Sequence, residues 1–337
     1  MVSKKIKDKI LNKSDKYNFY KEEYENNSDA IADLAKRISA LEAENEEKNN
    51  ILDSYHVLLN TLFCYYDITP KSYLKNVQDL GVEILKFVDN VCAKHDIDYW
   101  LDYGTLLGAV RHEGYIPWDD DLDVAMMRAD YSRFIKIFTS ELKENNLTNL
   151  KCDFQQSKFK GKPVLRWTQI TYRHPDHKIS FMGTDIFPYD YIKTNEISNI
   201  DDVFMKSRAE FYLANQEKMP FSQVLERYCE SMNLSLERQD FYLSGVEGVR
   251  SPKDFYRIKI LETDKLYPLK TLNFKDHSFK VPNDTDYYLS MIYGDTYREI
   301  PKSVRDHSRI SKLVKIENIN DLLENAVHEM KSANDNF

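Results

Sequence analysis

The chain has 337 residues, of which 42% are hydrophobic and 30% are charged, with a formal net charge of -8. This length suits one large domain, or a medium domain with an appendage. The acidic balance argues against nucleic acid as the main partner, because a phosphate backbone is held by a basic surface. The four cysteines lack paired spacing, so neither a zinc site nor a disulfide framework is predicted.

Two features that the sequence lacks bear on the location of the protein in the cell. No apolar run reaches the length that spans a bilayer, and the N-terminus lacks the apolar core of a signal peptide. We therefore expect a cytoplasmic protein. The first twenty residues are rich in lysine and could touch an anionic membrane at its inner face, although a solvated charged tail is the favoured interpretation.

The first 65 residues divide by composition. Residues 1–28 are polar and predict a flexible tail, whereas residues 29–65 repeat apolar side chains in steps of three and four, which predicts a coiled-coil helix. A polar Asn at a seam position is how parallel dimers fix their register, so self-association is favoured over docking on the rest of the chain. The seam consists of Ile31, Leu34, Ile38, Leu41, Leu52, Tyr55 and Leu59, interrupted by Asn45 and Lys48.

A second amphipathic helix is predicted over 71–95, with Thr69 as its cap and Pro70 in its first turn. A short strand over 99–102 follows it directly. We place the boundary of the second domain near Tyr66.

The acidic run after this strand is the most informative part of the sequence. Asp119, Asp120, Asp121 and Asp123 fall within five positions. Ionised like charges repel one another, and a divalent cation among them removes the repulsion. Because side chains alternate in an extended segment, Asp121 and Asp123 share one face. This pattern predicts a metal clamp of two carboxylates at the start of a strand whose other face is buried.

The turn before the acidic run predicts a phosphate site. Gly104 lets the backbone approach a phosphate, and Thr105 is predicted to cap a helix over 106–112 whose amides point at an anion. Arg111 would grip phosphate or pair with the aspartates. A Gly-Thr turn or an Asp-rich turn alone is more often an ordinary loop, but the two joined by Pro117 and Trp118 are far more specific.

Further elements are predicted in the second half of the chain. Their ranges are a helix over 129–144, a strand over 164–172, a helical segment over 199–232, a hairpin over 267–282 with Asp276 and His277 at its turn, and a helix over 286–293 ending at Gly294. Arg305, His307 and Arg309 could reach a phosphate, with an exposed basic tail as the equal alternative.

The Gly-Thr turn and the acidic run together resemble the LicD family of the nucleotidyltransferase-fold superfamily, whose signature is L-x-x-G-T-L-L-G-x-x-R-x-x-G-x-I-P-W-D-D-D-x-D. The matching positions are Leu101, Gly104, Thr105, Leu106, Leu107, Gly108, Arg111, Gly114, Ile116, Pro117, Trp118, Asp119, Asp120, Asp121 and Asp123. The string D-I-F-P-x-D from Asp185, and the order Tyr-Gly-Asp then Pro near the C-terminus, also resemble this family. The resemblance covers about 76–307.

This resemblance implies the fold and the ligands. The fold would be α/β (α+β), a nucleotidyltransferase-like mixed sheet flanked by helices, over 66–310, with a C-terminal helix or tail over 311–337. Asp185 would join Asp121 and Asp123 as catalytic residues and ligands of Mg²⁺ or Mn²⁺, although its own segment favours a surface carboxylate. Asp190 would cap the following turn. The residues implied in donor binding are Gly104, Thr105, Arg111, Trp118 and Arg166.

The implied activity moves a phosphocholine-like group from a CDP-linked donor such as CDP-choline to a hydroxyl of a cell-surface glycan, teichoic acid or lipopolysaccharide precursor. Two alternatives stay open. One is a nucleotidyltransferase acting on a small acceptor. The other is a non-catalytic assembly protein for glycan synthesis, in which the carboxylates hold a structural Ca²⁺. The sequence also leaves open whether Asp119 and Asp120 join the metal site.

Overall fold

A computed structural model describes residues 4–65, 73–159, 162–193, 226–227, 229–230, 232–245, 247, 259–300 and 309–337. The chain divides into two compact units, Met1–Tyr65 and Tyr66–Phe337. In these described ranges, no helix has both the length and the apolar content needed to cross a bilayer.

The first unit contains one long helix, α1, over Lys4–Tyr65. Residues 4–28, expected to form a flexible tail, continue this helix. Residues 4–65 contain neither glycine nor proline and are rich in lysine and glutamate, which have high helix propensity. The apolar seam is solvent-exposed: the side chains of Ile31, Leu34, Ile38 and Leu41 are each more than half exposed. Coiled-coil formation therefore stays a prediction.

The second unit combines helices with a mixed sheet. Its helices are α2 (Tyr73–Lys94), α3 (Tyr103–His112), α4 (Arg128–Glu144), α5 (Thr263–Leu266), α6 (Thr285–Tyr293), α7 (Arg309–Leu313) and α8 (Ile319–Asn334). Its strands are β1 (Trp100–Leu101), β2 (Leu122–Met127), β3 (Leu150–Phe159), β4 (Lys162–Tyr172), β5 (Met182–Ile192), β6 (Leu234–Ser235), β7 (Phe241–Ser244), β8 (Leu261–Glu262), β9 (Lys270–Phe274) and β10 (His277–Val281).

The main sheet is built around β5. The strand order is β1-β2-β5-β4-β3, β6 and β7 also pair with β5, and β8 pairs with β7. Strands β2 and β5 run parallel, whereas the other pairs are antiparallel. Every residue of β5 is buried. The predicted mixed sheet flanked by helices is confirmed, and its parallel pair begins at one common edge.

The helices cover the sheet as their apolar patterns predict. Helices α2 and α4 contact β5 and each other, and α8 packs along α2. The predicted apolar face of α2, including Val77, Leu80 and Val88, is fully buried. Residues 311–337 do not form a separate tail, since Leu323 and Met330 of α8 lie in the same core.

Several boundaries differ from the sequence prediction. Helix α3 begins at Tyr103 and is capped by Asp102, whose side chain accepts a hydrogen bond from the Tyr103 amide, and not by Thr105. His277 pairs with Phe274 in the β9–β10 hairpin, so the turn lies at residues 275 and 276. Helix α6 ends at Gly294 as predicted. The positions that lie outside the described residues are Thr69, Pro70, Arg305, His307 and most of 199–232.

Candidate metal and donor site

Two predicted ligands lie side by side where β2 and β5 begin. Asp123 and Asp185 are register partners in the parallel pair, and adjacent strands lie about 4.8 Å apart. Strand β4 places Gln169 opposite Asp185, and Gln169 Nε2 donates a hydrogen bond of 2.5 Å to Asp185 Oδ1. Asp121 immediately precedes β2. The fold therefore brings a carboxylate from the middle of the chain to the edge that the acidic run forms.

The acidic loop that leads into β2 gathers further oxygen atoms. One carboxylate oxygen each from Asp119, Asp120 and Asp121 lies within 4.8 Å of the others. Gln78 Nε2 donates to the Asp119 carbonyl at 2.9 Å, and the Asp120 amide donates to Asp119 Oδ1 at 3.1 Å. The sequence left open whether Asp119 and Asp120 join the site, and the structure places both beside Asp121.

Arg309 reaches this loop from α7. Its Nη1 donates to the Asp120 carbonyl and lies 3.8 Å from Asp120 Oδ1, and only 15% of its side chain is exposed. Gly183 allows this approach, since a Cβ there would lie 3.1 Å from Arg309 Nη2. The exposed basic tail considered from the sequence is therefore wrong for Arg309. Its guanidinium instead neutralises charge on the acidic loop.

The Gly-Thr turn contacts Asp123 directly. The Gly104 amide donates to Asp123 Oδ2 at 3.2 Å, and the Asp123 amide donates to the Thr105 hydroxyl at 2.7 Å. A Cβ at Gly104 would lie 3.1 Å from Asp119 Oδ2 and 3.6 Å from Asp123 Oδ2. Thr105 thus joins α3 to β2, and glycine at position 104 avoids the crowding that a side chain would cause against two carboxylates.

The electrostatics of the site favour a cation. Burial, together with the charges of Asp121 and Asp185, raises the pKa of Asp123 well above its usual range. A carboxylate in such surroundings binds a proton or a metal ion to relieve the repulsion. All the converging ligands are hard oxygen atoms, which suits Mg²⁺ or Mn²⁺. The residues present therefore fit the divalent metal that the sequence predicted.

Asp102 is a buried residue that contacts the site, and the sequence analysis did not predict this role. Its carboxylate is fully buried and accepts hydrogen bonds from the hydroxyls of Tyr288 (2.8 Å) and Tyr189 (3.0 Å). Burial raises the pKa of Asp102 to about 6. Its amide donates to the Asp123 carbonyl at 3.0 Å. An aspartate just before a helix is a recognised cap signal, so the sequence contained a clue to this residue.

The turn between Asp102 and Gly104 is strained. Tyr103 has a φ of 36°, in a region that favours glycine and is costly for a bulky side chain. Its ring packs edge-on against Phe187, with 5.2 Å between the ring centroids. The cap at Asp102 and this aromatic contact together hold Gly104 against Asp123.

The structure describes the side chains of two of the other three predicted donor-binding residues. Arg111 Nη1 donates to the Tyr297 carbonyl at 3.3 Å, which joins the end of α3 to the segment after α6. Trp118 is 38% exposed and stands next to Asp119. The side chain of Arg166 lies outside the described residues. Donor binding by these three residues stays a prediction.

Asp190 does not cap a turn, because β5 continues through it to pair with β6 and β7. Its carboxylate accepts hydrogen bonds of 2.8 and 2.7 Å from Arg128 Nε and Nη2. Glu247 binds the same guanidinium, with 2.5 Å between its Oε1 and Arg128 Nη1. All three side chains are at most 3% exposed. This ion-pair cluster is structural, and the sequence pattern gave no signal for it.

The fold is a mixed sheet flanked by helices, with carboxylates on adjacent parallel strands and a glycine turn against one of them. Residues 96–227 match the family model described as LicD/FKTN/FKRP, nucleotidyltransferase domain. This match places these residues in the LicD family, as the sequence motifs predicted.

Named relatives agree with this assignment. The lipopolysaccharide cholinephosphotransferase LicD of Haemophilus influenzae is 32% identical over 171 residues, which cover 50% of this chain and 60% of that protein. Human ribitol 5-phosphate transferase FKRP is 42% identical over 48 residues, covering 14% of this chain and 10% of that protein. An uncharacterised protein of Rickettsia typhi is 47% identical over 72 residues, covering 21% of this chain and 22% of that protein. The chain therefore matches less than two thirds of each of these relatives.

Proposed function

We propose that this protein transfers a phospho-substituent, such as phosphocholine, from a CDP-linked donor to a hydroxyl of a glycan. The observation that carries the proposal is the pairing of Asp123 with Asp185 across parallel strands, with the Gly104 turn packed directly against Asp123. The relatives support it, because two of them are named as transferases of phosphocholine or ribitol 5-phosphate.

The oxygen ligands of Asp121, Asp123 and Asp185 would hold the metal, with Asp119 and Asp120 close enough to assist. When bound, Mg²⁺ or Mn²⁺ neutralises the diphosphate of the donor as a Lewis acid. Arg309 compensates part of the remaining negative charge through Asp120. Gln169 orients the Asp185 carboxylate by donating to one of its oxygens.

The turn at Gly104 would seat the donor. Gly104 lies in the first turn of α3 and has no side chain to shield that turn from a phosphate, and helix N-termini attract anions. Arg111 and Trp118 would contact the diphosphate and the nucleoside. Arg111 would also balance the negative charge that develops on the leaving phosphate.

The chemistry is a substitution at phosphorus. The acceptor hydroxyl attacks the phosphorus that carries the head group, and a new P–O bond forms. The P–O bond to the bridging oxygen of the diphosphate breaks, and CMP leaves. The hydroxyl proton passes to a carboxylate of the site.

Two other functions remain as alternatives. A nucleotidyltransferase acting on a small acceptor would use the same carboxylates but release pyrophosphate from a nucleoside triphosphate. A non-catalytic assembly protein would bind Ca²⁺ structurally and turn over no donor. The match of residues 96–227 to a nucleotidyltransferase-domain family favours an enzyme over a structural calcium site.

The test is a panel of CDP-choline and CDP-ribitol incubated with the purified chain, Mg²⁺ and candidate glycan acceptors. We expect release of CMP that depends on the acceptor and stops on addition of EDTA. Asp121→Ala and Asp123→Ala should abolish release while the circular dichroism spectrum stays unchanged. Asp153→Ala, which removes an exposed carboxylate 3.5 Å from Arg173, is the matched control.

Three results would contradict the proposal. CMP release that continues in the presence of EDTA would show that the reaction does not require a metal. Release of pyrophosphate from CTP, without reaction of the CDP compounds, would favour the nucleotidyltransferase. Full activity in a folded Asp123→Ala variant would show that the reaction does not require Asp123.

A further inference from the structure

Helix α1 presents an apolar stripe with no covering partner among the described residues. Most of the exposed large apolar side chains in those residues belong to this helix. At 62 residues it extends about 93 Å, and helices in proteins gain most of their stability by packing an apolar face against a partner. We propose that α1 forms a parallel, in-register, two-stranded coiled coil with α1 of a second copy of this chain. This proposal does not depend on the transfer reaction.

The stripe follows one heptad frame. The a positions are Ile31, Ile38, Asn45, Leu52 and Leu59, and the d positions are Leu34, Leu41, Lys48, Tyr55 and Leu62. The apolar members of this set are between 38% and 67% exposed. Isoleucine at a combined with leucine at d, as in the first two heptads, selects two strands over three or four.

The same frame continues towards the N-terminus. Tyr17 falls at an a position and Tyr20 at a d position, and their side chains are 68% and 56% exposed. A strict seven-residue repeat drifts about 20° per heptad around a straight helix. Over this length the stripe stays on one face only if two helices wind around each other with a left-handed supercoil.

The polar seam positions set the register. Asn45 at an a position can pair with the same residue of the partner only when the two helices are parallel and aligned. Lys48 at a d position directs its ammonium group sideways, 2.6 Å from Glu44 Oε1 at the neighbouring g position. The lysine therefore keeps its charge at the edge of the seam while its aliphatic stem covers the core.

Charges beside the seam agree with a parallel arrangement. In parallel coiled coils a g position faces the e position five residues later on the partner. Arg37 is at g and Glu42 is at e, so each helix would offer one opposite-charge pair to the other. In an antiparallel pair, g positions face g positions, so Arg37 of one helix would not face Glu42 of the other.

The experiment uses the full chain with single added cysteines. An antiparallel pair can align only one residue with itself, whereas a parallel in-register pair aligns every seam residue. Leu34→Cys and Leu62→Cys stand about 42 Å apart along α1, and both should form inter-chain disulfides under mild oxidation. The parent chain and Lys36→Cys, at the outward f position, are the controls and should stay largely uncrosslinked. Sedimentation equilibrium of the parent chain should give the mass of two chains.

Charge reversal tests the orientation independently. Arg37→Glu should raise the dissociation constant of the dimer several-fold, and adding Glu42→Arg in the same chain should restore it. Lys36→Glu makes the same charge change at an outward position and should leave the constant unchanged. The proposal is overturned by a monomeric parent chain at micromolar concentration, by a trimeric or tetrameric mass, by crosslinking at only one of the two positions, or by failure of the charge restoration.

Discussion

Gln169 is a neutral side chain placed among carboxylates, and its amide fixes one oxygen of the nearly buried Asp185. Groups that orient a metal ligand typically change metal affinity 10- to 100-fold when they are removed. We expect Gln169→Leu to weaken Mn²⁺ binding by about tenfold, measured by isothermal titration calorimetry, with little change in the free energy of unfolding.

The control for this variant is Gln239→Leu, which removes an amide hydrogen-bonded to Ser235 at 3.3 Å on β6. Metal affinity should not change there. Unaltered Mn²⁺ affinity in a folded Gln169→Leu protein would show that Asp185 needs no orienting partner.

Asp102 predicts a pH dependence of stability. Its pKa is raised by burial from 3.8 to about 6 in the folded protein, so the folded state binds the proton more tightly than the unfolded state. The resulting stabilisation is fully present below pH 3.8 and is lost as the pH rises to about 6. Two pKa units correspond to about 3 kcal/mol.

The variant Asp102→Asn should remove this part of the pH dependence, because asparagine also caps helices but does not titrate. Urea unfolding of both proteins at several pH values between 4 and 7 measures the effect. The free energy of unfolding should fall less steeply with pH in the variant. Parallel curves for the two proteins would show that Asp102 titrates normally.

Among the elements, the parallel pair β2–β5 positions both the candidate metal site and the Arg128 cluster. The two strands begin at the carboxylates of Asp123 and Asp185, and beyond the end of β2 the side chain of Arg128 meets Asp190 on β5. One strand pairing therefore supplies the acidic edge at its start and a buried ion-pair cluster towards its end.

Removing one acid from this cluster should destabilise the second unit. Asp190→Ala leaves a fully buried guanidinium with only Glu247 as its acidic partner among the described residues. Loss of a partner in a buried ion pair costs about 3 kcal/mol or more. We expect a fall of that size in the free energy of unfolding by urea.

The matched change at an exposed ion pair is Asp153→Ala, where both side chains are about half exposed. It should cost less than about 1 kcal/mol. Similar losses in the two variants would mean that the Arg128 cluster contributes no more than a surface pair.

At the scale of the whole molecule, the acidic site should couple metal binding to stability. A ligand that binds only the folded state stabilises it by about 2.7 kcal/mol at 100 times its dissociation constant. We expect Mg²⁺ or Mn²⁺ to raise the melting temperature of the metal-free chain in differential scanning calorimetry. NaCl at matched ionic strength should not produce this rise.

In the same measurement Asp123→Asn should melt at or above the temperature of the metal-free parent, because one of several repelling charges is gone. It should also lose the response to the metal. If neither cation changes the melting temperature of the parent chain, the proposed metal binding is wrong.

Local patterns in the sequence determined much of this protein. The heptads of α1, the apolar face of α2, the strand after the acidic run and the hairpin are all recorded in residues close together in the chain, since side-chain periodicity reflects local geometry. The Gly-Thr turn and the acidic run could be recognised for the same reason, and they predicted the family whose model matches residues 96–227.

Contacts between groups far apart in the sequence became visible only in the folded protein. The contacts of Gln169 with Asp185, of Arg309 with Asp120, and of Arg128 with Asp190 and Glu247 join segments far apart in sequence. Strand partners are selected by burial of the whole core, which no local pattern records. For that reason the sequence misplaced Asp190 in a turn, and only the family resemblance linked Asp185 to the acidic run, beside which β5 places it.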